Sequence, residues 1–223
     1  MKKFELTAES KINIFGKKLF RIKALISFGD VEEGETGGWI EKEENLEQSS
    51  GDAWVYGDAE VYGNARVSGN AEVSGDAEVS GNARVSGNAR VSGNAWVYGD
   101  AGVSGNAGVS GNAGVSGNAE VSGNAGVSGD AEVYGNARVS GDAGVYGNAD
   151  YTTIHGFGTQ FRTTTFFQCE DKQIRVSCGC FLGTIPEFRE QVKNTREGKI
   201  AEEYLMIADL MEKHFVKEKE SGE

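Results

Sequence analysis

The side chains that could ligate a metal or attack a substrate are few. They are Cys169, Cys178, Cys180, His155 and His214, all in the last third of a 223-residue chain. Tetrahedral zinc needs three or four such groups within bonding distance of one point. In an extended strand Cys178 and Cys180 share a face. A hairpin reversing at Asp171-Lys172 sets Cys169 opposite Ile174, about 13 Å along the strand from Cys178. That is too far for a shared metal, so the cysteines read as small buried hydrophobes. Their odd number does not suggest a secreted disulfide framework. No Gly-rich phosphate loop is credible, because the glycines of the repeat serve corners and not a strand-to-helix turn. The expectation is a chain without catalytic residues, metal or cofactor.

The elements that would have to position any chemistry are dominated by one phrase. From Gly51 to Thr152 the chain repeats Gly-Asn/Asp-Ala-x-Val-Ser/Tyr 17 times without a gap. A strict period fixes architecture before local propensity does. Ala and Val stand two apart, so in an extended chain both point to one side, while x and Ser/Tyr point to the other. Gly and Asn/Asp tolerate the left-handed backbone of a tight corner. Each hexapeptide is therefore a short strand and a bend, which buries its apolar side only by stacking on its neighbours. Residues 51–150 hold 12 acids, four arginines, no lysine, no histidine and no cysteine.

Rotated to Val-Ser-Gly-Asn-Ala-x, the phrase resembles the hexapeptide signature of left-handed parallel β-helices. A right-handed triangular helix of the bactofilin type is the alternative. The resemblance implies three hexapeptides per triangular coil, residues 18 apart in stack, and about 27 Å of solenoid at strand spacing. Known left-handed β-helices include acyltransferases with a catalytic His beside a subunit groove, and a carbonic anhydrase class with three zinc-binding His. The coils here carry no His and no inserted loop, so the resemblance brings the fold without that chemistry.

Stacking of every third hexapeptide sorts the outward positions into three ladders. The first carries Trp54/Tyr56, Glu72, Arg90, Gly108, Gly126 and Gly144/Tyr146. The second carries Glu60/Tyr62, Glu78, Trp96/Tyr98, Gly114, Glu132/Tyr134 and Asp150, and the third Arg66, Arg84, Gly102, Glu120 and Arg138. Aromatic residues concentrate at the energetic centres of interfaces. Glu60, Tyr62, Glu78, Trp96, Tyr98, Glu132 and Tyr134 are therefore the expected partner-binding residues.

The flanks break the period. Residues 1–50 form a β-rich cap, with two strands around Gly16-Lys17-Lys18, and Trp39 and Ile40 expected as lids on the first coil. Residues 153–183 read as a β-hairpin around Glu170-Asp171-Lys172-Gln173. Residues 184–223 read as two helices, the first opened by a Thr184/Glu187 capping box with Pro186 in its first turn. The second carries Ile200, Tyr204, Ile207, Ala208, Met211 and Phe215 on one face, expected to plug the far end of the solenoid. The whole is mainly β: a hexapeptide solenoid between a β cap and a hairpin with two helices. Arg21-Ile22-Lys23-Ala24-Leu25, Gly37-Gly38-Trp39-Ile40-Glu41-Lys42-Glu43 and Val176-Ser177-Cys178-Gly179-Cys180-Phe181 resemble the ends of hexapeptide-repeat proteins of bacteriophages and prophages. That likeness implies a genomic setting, not a reaction.

Net charge is -12, which repels nucleic acid and anionic membrane and suits a basic protein partner. No signal-like or membrane-spanning apolar run is present. The expectation is a cytoplasmic, non-catalytic phage accessory protein presenting a rigid acidic surface, with inhibition of a host defence or nucleic-acid-handling protein as a specific role. A homo-oligomer stays open. The alternatives are a phage structural or polymerising component, and a small-molecule or nucleotide sponge.

Overall fold

The computed structural model describes residues 2–169 and 171–215. Glu170 of the expected turn and residues 216–223 of the expected helical segment lie outside the described residues. The chain begins with β1 (Phe4–Ile12), β2 (Lys18–Ala24) and β3 (Thr36–Ile40). Sixteen two-residue strands follow, β4 to β19, one per hexapeptide from Trp54–Val55 to Gly144–Val145. They build three parallel sheets in which every third strand pairs at a register of 18, as Arg90 with Gly108 and Trp96 with Gly114. The result is a β-solenoid of about six turns.

The repeat forms these strands because each position has a fixed task. Backbone N–H groups of the x residue and of Ser/Tyr donate to the next coil, as Glu78 to Ala95 and Ser80 to Val97, both at 2.9 Å. Such pairing satisfies backbone groups that would otherwise be buried unmet. Every Ala and Val of the phrase from Ala53 to Val145 is buried, so the prism is a continuous column of Ala and Val. At the corners Gly87 has φ 71°, and a Cβ there would lie 2.9 Å from both N and O of Gly105. Neither the angle nor the space admits a side chain.

The solenoid sheets begin before residue 51. Strand β3 pairs in parallel with β5 (Glu60–Val61), placing Trp39 beside Glu60 and Ile40 beside Val61. Leu46 bridges Val67 in parallel. The first coil thus has a register of 21, because Leu46 to Val55 takes nine residues where the repeat takes six. Trp39 and Ile40 are consequently not lids. Ile40 is a prism residue of the first coil, and Trp39 is the first rung of the second ladder. The covering is done by Phe4, Ile22, Ala24 and Val31. Trp54, outward by the repeat, is fully buried under Phe4 and Phe28, with ring centroids at 6.1 and 5.4 Å.

At the other end stands a four-stranded antiparallel sheet, not a single hairpin: β20 (Tyr151–Phe157), β21 (Arg162–Gln168), β22 (Ile174–Cys178) and β23 (Phe181–Thr184). Consecutive residues of β21 face opposite ways. Phe167 joins Tyr151 and Cys169 in the solenoid core, while Phe166 joins α1 (Ile185–Thr195) and α2 (Gly198–His214). The helical stripe of Tyr204, Ile207, Ala208 and Met211 is buried, but against this sheet. The sheet is the plug and the helices are a second layer behind it. Helix α1 starts with the Thr184/Glu187 capping box, with Pro186 in its first turn.

Candidate interaction face

The second ladder is one sheet, in the order β1-β2-β3-β5-β8-β11-β14-β17, where β8 is Glu78–Val79, β11 Trp96–Val97, β14 Gly114–Val115 and β17 Glu132–Val133. Its register brings Trp39, Glu60, Glu78, Trp96, Gly114 and Glu132 into one row. Asp150 does not continue the row, because the chain there turns and its carboxylate accepts from the backbone of Tyr146 and Gly147. Beside the row runs a column at the following corner: Tyr62, Ser80, Tyr98, Ser116 and Tyr134.

The seven expected partner residues divide into two groups. In the first coils the acids and tyrosine are occupied internally. Glu60 is paired with Lys11 at 2.9 Å and accepts from Asn13 at 3.1 Å, both from the β1–β2 hairpin. Tyr62 is only 7% exposed, packed with Leu19 and Trp39, and its hydroxyl donates to Glu78. Burial, then that bond, pushes the Tyr62 phenol up. Trp39 is flanked by Lys11 and Arg21, 4.6 and 4.5 Å from its ring. Glu60 and Tyr62 therefore hold the N-terminal hairpin on this face, and Glu78 is occupied by the Tyr62 hydroxyl. The reason is long-range: the hairpin at the start of the chain folds back over the first coils, which no period announces.

The second group is open. Trp96 lies across Gly114, where any Cβ would collide with the indole. Tyr98, 48% exposed, stacks on Trp96 with centroids at 5.1 Å. Tyr134 is 60% exposed and meets Tyr151 edge-on at 6.5 Å. Tyr151 itself donates its hydroxyl to the Glu132 carbonyl at 2.6 Å and has its phenol pushed up to about 12 by burial. The Glu132 side chain stays exposed. Rigid aromatic rings on a stiff sheet lose little entropy on binding. Gly114, directly after Trp96 in the ladder, leaves the room in which the indole lies flat. Tyr151 and the hairpin residues Lys11 and Asn13 gave no signal in the sequence.

The metal-capable side chains do not converge. Among the described residues no three His, Cys, Asp or Glu groups form a metal-holding cluster. The β21–β22 register is one residue off the expectation. Gln168 stands opposite Ile174, and Cys169 N–H donates to Gln173, because Lys172 at φ 61° closes the turn onto the Cys169 carbonyl. Cys169 lies on the solenoid side of the sheet and Cys178 on the helix side, opposite Thr164. The sheet itself separates them, a stronger reason than distance along a strand. Cys180 is exposed, His155 contacts Thr163 Oγ1 at 3.3 Å, and His214 meets the Phe215 ring at 5.1 Å. No helix among the described residues is long and apolar enough to cross a membrane.

The family model described as the YdcK beta solenoid repeat matches residues 59–75, 77–93, 83–99 and 131–147, all inside the solenoid. No curated protein sequence matches the chain. The chain is thus similar to β-solenoid repeat proteins over part of its coils.

Proposed function

We propose that this chain is a non-catalytic interaction scaffold that presents the open part of its second face to a basic protein segment. The observation that carries the reading is the stacked Trp96–Tyr98 pair lying over Gly114, with Glu132 and Tyr134 two coils away. Aromatic anchors beside exposed carboxylates suit a partner with lysines or arginines around an apolar centre. The net charge of -12 adds long-range attraction for such a partner. The finer proposal is a phage or prophage accessory protein acting on a host defence or nucleic-acid-handling protein in the host cytoplasm. It rests on the likeness of the flanking segments and on charge.

Both ends of the solenoid are covered, by Phe4, Ile22, Ala24 and Val31 at one and by Tyr151 and Phe167 at the other. Coverage disfavours end-to-end polymerisation through bare strand edges, the runner-up reading.

The test is capture of a partner from a host lysate, then kinetics with variants. Trp96→Ala with Tyr98→Ala should raise the dissociation rate, and Glu132→Lys should slow association and flatten the salt dependence. Arg66→Ala with Arg84→Ala, on the third ladder, is the control. A partner that ignores the first three changes but is lost with the arginines would place the interface on the other face and end this reading.

A further inference from the structure

The Asn/Asp corners form hydrogen-bonded columns with one polarity. Asn amides donate to the matching side chain of the next coil, as Asn70 to Asn88, Asn88 to Asn106 and Asn106 to Asn124. A column closes where Asp takes the last donor, because a carboxylate accepts but does not pass a proton on. Asn124 closes on Asp142 and Asn112 on Asp130, each at 2.9 Å. The third column closes once on Asp100, which takes the Asn82 amide at 2.9 Å, and its last segment ends differently. Asn118 donates to Asn136 at 3.0 Å, and among the described residues nothing accepts from the Asn136 amide.

That leftover donor stands at a cleft between the last coils and the C-terminal sheet. Asn136 and Arg138 line it from the solenoid, and His155, Phe161, Arg162 and Thr163 from the sheet. None of the described residues lining the cleft is acidic. Arg138 is held at its Nε by Glu120 at 3.2 Å. Arg162 has no carboxylate within ion-pair distance among the described residues, and its guanidinium lies over Gly179, where a Cβ would collide with Nη1. His155 uses Nδ1 on Thr163, which leaves its other ring nitrogen without a partner among the described residues. Phe161, 65% exposed, stands at the rim at φ 48°, an angle bulky residues rarely adopt. In a chain of net charge -12, a cleft holding two guanidiniums, an imidazole and a spare amide is the exception.

We propose that this cleft binds a small aromatic molecule through a phosphate group, a nucleoside monophosphate being the simplest case. The Arg162 and Arg138 forks and the Asn136 amide would take the phosphate oxygens, and the exposed Phe161 ring would stack on the aromatic base. The site is separate from the second face, since Arg138 belongs to the third ladder.

The experiment is calorimetric titration of the whole chain with AMP, adenosine and inorganic phosphate. AMP should bind, with adenosine and phosphate each at least about tenfold weaker. Asn136→Asp keeps the acceptor for Asn118, as Asp130 and Asp142 do in their columns, so the solenoid should stay folded while AMP binding falls at least about tenfold. Arg162→Gln should do the same. Phe161→Gly places glycine at a backbone angle it adopts freely and should bring AMP down to the level of inorganic phosphate. Absence of AMP binding at millimolar concentration would overturn the proposal. So would AMP binding that ignores Asn136→Asp and Arg162→Gln, or inorganic phosphate binding as tightly as AMP.

Discussion

The solenoid and its C-terminal cap bury apolar surface in opposite ways. In the inner coils each Val stacks on its counterparts in the coil before and the coil after, so one contact type is repeated along the rod. In the cap no contact recurs. Phe188 alone meets Phe166, Phe181 and Tyr204, from β21, β23 and α2, at 6.2, 5.5 and 5.9 Å. The two cores lie on opposite sides of the β20–β23 sheet, as at β21, where Phe167 faces one and Phe166 the other. A repeat makes burial a property of the period, whereas a cap makes it a property of particular partners. The rod should tolerate outward change and punish inward change equally along its length, and the cap should show no such rule.

The largest effect should come from breaking the rod inside. Val97→Asp puts an unpaired charge in the prism and should cost roughly 4–5 kcal/mol in a denaturant melt. A loss under about 1 kcal/mol would mean the inward assignment is wrong. Next come the two faces of β21. Phe166→Ala and Phe167→Ala should each cost about 3–4 kcal/mol, with different signatures in amide hydrogen exchange. The first should loosen α1 and α2, and the second the last coils near Val145. The same exchange pattern from both would make rod and cap one cooperative unit.

Two glycines sharpen the inside–outside distinction on the rod itself. Gly87→Ala meets both a left-handed backbone and Gly105, and should cost about 1–2 kcal/mol or more. Gly108→Ala has open space and an ordinary backbone, and should stabilise by about 0.4–1 kcal/mol. A melt in which the two shifts share a sign would remove the distinction. Glu78→Gln keeps an acceptor for Tyr62 and should stay within about 0.5 kcal/mol.

The smallest effect is an acid one, and it belongs to the cap. The Thr184 backbone N–H and hydroxyl hold the Glu187 carboxyl below its ordinary value of 4.5. Since the folded value is depressed, its contribution is complete above 4.5 and is lost as pH falls through the lower folded value. The start of α1 should therefore fray in that window, seen as a drop in helical circular dichroism. The Ala/Val prism has no titrating group and should not change with it. Glu187→Gln should abolish the dependence, and its persistence would move the acid sensitivity elsewhere.

Repetition is what made the rod legible in the sequence. The period gave the parallel stack, the inward Ala and Val, the three outward rows and the glycine corners, because every coil residue has its neighbours at a fixed offset. Local chemistry gave the Thr184/Glu187 cap and the β1–β2 and β21–β22 reversals, because those contacts lie within a few residues. What covers what was settled by the folded chain alone. Folding put Ile40 in the prism through a first coil with a register of 21, buried Trp54 under Phe4 and Phe28, and tied Glu60 to Lys11 and Asn13. It also made the β20–β23 sheet, not the helices, the plug, and gathered Asn136, Arg138, His155 and Arg162 around one cleft. Those contacts join segments distant along the chain with no period between them, and their cost in loop closure is met by packing that exists only once the chain has folded.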